Sequence, residues 1–152
     1  MSRCERERPI CPKCPICSIE EGIQDISGGI EKVNDGLDDI MEKNFCKGVT
    51  KIEKGLSCIE EGLKDIIAGV KCSEFRMRCK KEREFCDAIC DITEGTKDCK
   101  EALKDICKNK ICEGVKCIED CLFDISEGLE DILRLLEMNV DCNRRPGCSN
   151  CQ

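Results

Sequence analysis

Apolar residues along this chain recur in alternating steps of three and four, and the whole pattern returns every 33 residues. Ile19 falls on Ile52, Phe85 and Ile118, and Ile23 on Leu56, Ile89 and Leu122. Ile26 falls on Ile59, Ile92 and Ile125, and Ile30 on Leu63, Thr96 and Leu129. Cys46, Cys79 and Cys112 keep the same step. A fixed self-similarity of this length marks an array of like supersecondary units. The 3-4 stepping is that of an amphipathic helix seeking partners. In heptad terms Ile23, Ile30 and Leu37 take the first (a) position, and Ile26, Val33 and Ile40 take the fourth (d).

The pattern predicts four helices over about 18–42, 47–71, 79–108 and 111–138. Ser18 has the chemistry of an N-cap, with Glu20 and Glu21 where the helix dipole favours anions. Asp91, Glu94 and Gly95 could kink or restart the third helix. Short connectors favour antiparallel neighbours, so the predicted fold is all-α: an antiparallel up-down four-helix bundle of four 33-residue single-helix repeats. Three segments follow: a Cys/Pro-rich N-terminal arm (1–17), the repeat domain (18–139) and a Cys-rich, non-helical C-terminal tail (140–152). Pro9, Pro12 and Pro15 argue against helix in the arm. An alternative is fusion of adjoining units into longer helices, since 33 residues make nine turns of about 3.67 residues. The stretch between the second and third helices has no Gly or Pro to mark a break. The phase of the stripe nevertheless jumps between units, which calls for turns.

Before every a residue but Leu136 stands a small one. Gly22, Gly29 and Gly36 form the first rungs of this ladder, Gly55, Gly62 and Gly69 the next, with Gly95 and Gly128 further on. A helix-interior Gly costs about 0.8–1 kcal/mol relative to Ala, so eight of them cost on the order of 7 kcal/mol. A domain's whole stability is about 5–15 kcal/mol. Close approach of helix backbones is the compensation this regularity implies. Whether the ladder meets a neighbour in the same chain or in a second subunit is open at this point.

Composition narrows the function. The 152 residues include 18 Cys but no His, Trp or Tyr, and charged residues make up 38% with a net −7. The acidic balance disfavours nucleic acid or an anionic membrane surface as partner. No run of 18 apolar residues is present to span a bilayer. The first 17 residues lack the apolar core of a conventional secretory signal. Cysteine at this density suits an oxidising destination, and the absence of a signal leaves the route to it unexplained.

The thiols mostly avoid the predicted core. Cys99 alone falls on the a/d seam, and Cys121 lies on the ladder. Cys58, Cys86, Cys90, Cys107 and Cys117 take flanking or outer heptad positions. Others gather at predicted ends: Cys4, Cys11, Cys14, Cys17, Cys142, Cys148 and Cys151 with Cys72 and Cys79, and Cys46 and Cys112 with Cys107 opposite. All sixteen outside the seam and ladder are candidates for intermolecular disulfides. A metal reading competes: Cys11, Cys14, Cys148 and Cys151 could supply four thiolates to zinc. No cofactor is expected otherwise. Cys11-Pro-Lys-Cys14 and Cys14-Pro-Ile-Cys17 match thiol-redox motifs only locally, since those need a βαβ setting. An iron–sulfur site lacks its fourth ligand spacing. Without His to activate a nucleophile, and without a phosphate loop, no enzymatic activity is expected.

CERERPICPKCPIC, FCDAIC and GCSNC, together with repeated helices, resemble the cysteine-rich self-assembling proteins of bacterial spore coats and exosporia. The resemblance implies a structural protein that assembles with copies of itself, and with other cysteine-rich layer proteins, into a disulfide-cross-linked lattice at the spore surface. Such a layer forms without a conventional signal peptide. The alternative is a cytoplasmic zinc- or other thiophilic-metal-binding helical protein.

Overall fold

A computed structural model describes residues 15–72 and 79–143. It is all-α, with four helices: α1 (Pro15–Met41), α2 (Phe45–Cys72), α3 (Cys79–Cys107) and α4 (Ile111–Asn143). The chain divides into two units, Met1–Glu74 and Phe75–Gln152. The first holds α1 packed on α2, and the second α3 packed on α4. The antiparallel up-down pairing of the predicted helical bundle is present in each unit. The structural repeat is thus a 66-residue hairpin made of two 33-residue helical units.

The two hairpins turn in the same way. Past the end of α1, Lys43 takes the left-handed conformation (φ 71°). Its N–H donates to the Ile40 carbonyl (2.9 Å), and the Asn44 N–H donates to the Asp39 carbonyl (2.8 Å). This pair of bonds is a Schellman cap, and it satisfies carbonyls that the helix end would leave open. The Asn44 carbonyl then accepts from the Gly48 N–H at 2.9 Å and opens α2. At the positions 66 residues later, Asn109 has φ 72°. Asn109 donates to Ile106 (3.0 Å), Lys110 to Asp105 (2.8 Å), and Gly114 to Lys110 (2.9 Å). These turns exclude fusion of α1 with α2 and of α3 with α4; the α2–α3 connection falls at 73–78, outside the described residues.

Four boundary expectations need correction. Pro15 begins α1 instead of preventing it, because a first-turn proline lacks only an N–H that has no intrahelical partner. Ser18 is consequently inside the helix and not its cap; its hydroxyl donates to the Asp65 carbonyl of α2 at 3.0 Å. The arm assigned to 1–17 and the tail assigned to 140–152 both lose residues to helix, since α4 continues to Asn143 and includes Cys142. Finally, α3 runs unbroken past Asp91, Glu94 and Gly95.

The buried stripe is wider than an a/d seam. Every d residue from Ile19 to Ile40 is buried, as are Ile52, Ile59 and Ile66. The ladder glycines between them are buried too, whereas the a residues Ile23 and Ile30 are only half-buried. Rotation of the contact toward the ladder follows from what the ladder meets.

The ladder packs within each hairpin. A β-carbon added at Gly29 would lie 2.5 Å from the Gly55 carbonyl oxygen and 2.7 Å from Ile59 Cγ1. One added at Gly36 would lie 2.6 Å from the Gly48 carbonyl, and one at Gly48 2.6 Å from that of Gly36. Gly22 and Gly62 oppose each other in the same reciprocal way. Facing pairs 22 and 62, 29 and 55, 36 and 48 all sum to 84, so one antiparallel register holds along the hairpin. None of the described glycines has positive φ. They are required for the absence of a β-carbon, which lets each backbone lie against the other and seats an isoleucine or valine on every rung.

Candidate functional site

The thiols are the candidate chemistry, and the helices sort them by face. Among the described side chains, Cys46, Cys86, Cys90, Cys107, Cys112 and Cys117 are free and exposed, and Cys58 is free and half-buried. Cys99 and Cys121 are free and buried. The exposed ones occupy the turn regions and outer helix faces because the stripe formed by d, ladder and a positions leaves no core place for them. Cys46 lies in the first turn of α2, while Cys107 and Cys112 flank the α3–α4 turn. Cys86 and Cys90 are one turn apart on the outer side of α3.

Cys17 departs from its predicted role: it is disulfide-bonded within the chain. A sulfur already committed internally is not available to join copies, so Cys17 leaves the intermolecular set. The backbone of Cys72, Cys79 and Cys142 is helical, and their side chains lie outside the described residues. Cys4, Cys11, Cys14, Cys148 and Cys151 also lie outside, and with them the four-thiolate zinc site. Among the described residues no group of three or more Cys, Asp or Glu is arranged to hold a metal ion.

Three thiols have polar partners across a helix pair. Lys32 Nζ on α1 reaches Cys58 Sγ on α2 at 3.7 Å, joining the helices across their exposed side. In the second hairpin the Cys99 and Cys121 thiols are hydrogen-bonded to each other. Burial, followed by the charge of Cys121, pushes the Cys99 thiol far above its ordinary value. Burial likewise pushes Cys121 up, to about 11. Both therefore stay protonated at neutral pH and are poor nucleophiles. The signal for this pair was in the sequence: Cys99 on the seam and Cys121 on the ladder, in antiparallel helices.

Charge differs between the hairpins as well. Lys51 Nζ lies 2.9 Å from Asp39 Oδ2 across α1 and α2. Asp65 is raised above its ordinary value, first by desolvation and then by the carboxylates of Asp25, Glu61 and Glu21. In the second hairpin an open groove is lined by Asp91, Glu94, Gly95, Asp98, Asp124 and Glu127. An acidic lining of this kind on solvated helix faces needs no ligand to explain it.

No protein family, no curated protein and no solved structure matches the chain. Among the described residues no helix is long and apolar enough to cross a membrane.

Proposed function

We propose that this is a structural protein that assembles with copies of itself and is locked by disulfides between copies, as a layer of a bacterial spore surface. The observation that carries this reading is the separation of thiols from core. Each hairpin buries its own isoleucine-and-glycine stripe, and six free cysteines still face solvent, at turns and along helix flanks. Thiols pointing several ways from such a block can join neighbours in more than one direction. Each bond removes two electrons and two protons from a pair of thiols, passed to dioxygen or a small-molecule disulfide. The spore assignment rests on the compositional resemblance alone.

Purified protein exposed to air should run as a ladder of oligomers on non-reducing electrophoresis and collapse to one band with dithiothreitol. Electron microscopy should show ordered sheets, tubes or rings. Persistent monomer after oxidation would refute the proposal. Stoichiometric zinc in anaerobically purified protein, about one ion per four thiols, would favour the metal-binding alternative.

A further inference from the structure

The cross-linking reading leaves the two buried thiols of the second hairpin without a role, and their placement supplies one. Facing ladder positions there are Ala88 and Gly128, Gly95 and Cys121, Ala102 and Gly114. Cys121 on α4 is therefore opposite Gly95, and Cys99 stands one turn further along α3 in the same buried stripe. Cys99 is fully buried and Cys121 is 7% exposed. In the first hairpin the equivalent positions, 66 residues earlier in the same register, are Val33 and Gly55. There a β-carbon added at 55 would lie 2.8 Å from Val33 Cγ2. A valine γ-carbon occupies the place of a cysteine sulfur, one bond beyond the β-carbon. The fold thus brings the γ-atom at one position next to the β-carbon at the other. A disulfide asks for this arrangement, with β-carbons about 3.5–4.5 Å apart. The second hairpin is slightly wider, and its two thiols are hydrogen-bonded to each other.

We propose that Cys99 and Cys121 form a buried dithiol that closes to an intrachain disulfide, clasping α3 to α4, when the protein meets a small-molecule disulfide oxidant. Cys121, the less buried of the two, reacts first: its thiol gives a proton to solvent and its sulfur attacks the oxidant. The oxidant's S–S bond breaks, and one half leaves as a thiolate that takes up a proton. Cys99 then loses its proton and attacks the Cys121 sulfur of the mixed disulfide, expelling the second half. Two electrons pass from the cysteines to the oxidant, which ends as two thiols. Because the attacking species is the thiolate and both thiols are held protonated, closure speeds up about tenfold from pH 7 to pH 8. The clasp is independent of bonds between copies and survives failure of the lattice reading.

The test uses the full-length, fully reduced protein. Exposed thiols are first blocked with iodoacetamide under native conditions, and oxidised glutathione is then added at pH 7 and pH 8. The protein is unfolded, remaining thiols are labelled with a maleimide, and the peptides are mapped by mass. The expected result is a peptide pair joined through Cys99 and Cys121, protected from maleimide until dithiothreitol is added. Cys99→Val copies the first hairpin's residue, and it should abolish the linked pair while helix content by circular dichroism is unchanged. The proposal is overturned if both residues take maleimide after oxidant, if iodoacetamide already reaches them, or if oxidation stops at a glutathione adduct on either residue. Should Cys99→Val fail to fold, the mapping of the unmutated chain decides alone, since blocked outer thiols cannot contribute.

Discussion

The first and second hairpins share a turn, a register and a spacing of 66 residues, yet their helices meet differently. In the first, glycine faces glycine at all three rungs, and at Gly29, Gly36 and Gly48 a β-carbon would come within 2.5–2.6 Å of the facing carbonyl. In the second, glycine faces Ala88, Ala102 or Cys121, and the corresponding distances are 2.9–3.2 Å. One β-carbon per rung is enough to hold the backbones apart by several tenths of an ångström. The isoleucines that seat on the rungs are nearly the same in both. The ladder, and not the isoleucine seam, therefore sets helix spacing, and the extra room in the second hairpin is where its buried thiols stand.

The largest expected effect breaks this contrast directly. Gly29→Ala drives a methyl group into a backbone carbonyl that cannot rotate away, so overpacking should outweigh the helix-propensity gain of about 1 kcal/mol. A net loss of about 2 kcal/mol or more is expected. Gly95→Ala meets Ile125 Cγ1 at 2.8 Å and the Cys121 carbonyl only at 3.2 Å. Ile125 is fully buried and its Cγ1 is not a free end, so this variant should also lose stability, but about 1 kcal/mol less than Gly29→Ala because the facing carbonyl stands back. Urea unfolding of the full chain, with hydrogen exchange read separately for α1–α2 and α3–α4 peptides, measures both. Equal losses in the two variants would sink the idea that spacing differs.

Alkaline pH is the next lever. A thiol whose pKa is raised in the folded state holds its proton where the unfolded chain has lost it, so stability falls as pH rises from the unfolded value toward the folded one. For Cys121 that window runs from about 9 to about 11, and Cys99 extends it upward. The reduced second hairpin should lose on the order of 1–3 kcal/mol over this range. No thiol described in the first hairpin is buried, and its amide protection should change less. With the Cys99–Cys121 bond closed, the thiol contribution to the pH dependence should vanish. Hydrogen exchange corrected for intrinsic rates separates these cases.

Much of this was legible before any coordinates. The 33-residue step located four helices, and the ladder announced close backbones because glycine at every seventh helical position has a cost that only packing offsets. What the chain does not spell out is register. Nothing local says that rungs 22 and 62 face each other, because that depends on the length of a turn closed by Lys43, a residue with no preference for positive φ. Cys99 and Cys121 were each placed correctly on buried positions, but their meeting needed that register. Lys32 beside Cys58 was missed for the same reason. Pro15 misled because a proline that ends one helix can begin another, and sequence distinguishes the two cases only when the helix start is known.

Lys43 offers a smaller, stabilising test. A left-handed lysine costs roughly 1 kcal/mol relative to glycine, whereas asparagine at 109 tolerates the conformation better. Lys43→Gly should raise the first hairpin's stability by about 1 kcal/mol, and Asn109→Gly the second's by about half that. If the Asn109 variant gained more, the two turns would not be equivalent after all.

The smallest effect concerns charge on the outer faces. At positions 32 and 58 the first hairpin pairs Lys32 with Cys58, while at 98 and 124 the second has two aspartates beside Asp91, Glu94 and Glu127. Like charges facing one another across a hairpin oppose its closure, though solvent and salt screen most of the repulsion. Asp98→Lys transplants the first hairpin's cation and should stabilise the second by about 0.3–0.5 kcal/mol at low ionic strength. Because the origin is Coulombic, the gain should shrink to nothing at about 1 M salt, where charges are screened within about 3 Å. A gain that survived such salt would mean that the lysine stem, by covering apolar surface between the helices, and not its charge, was responsible.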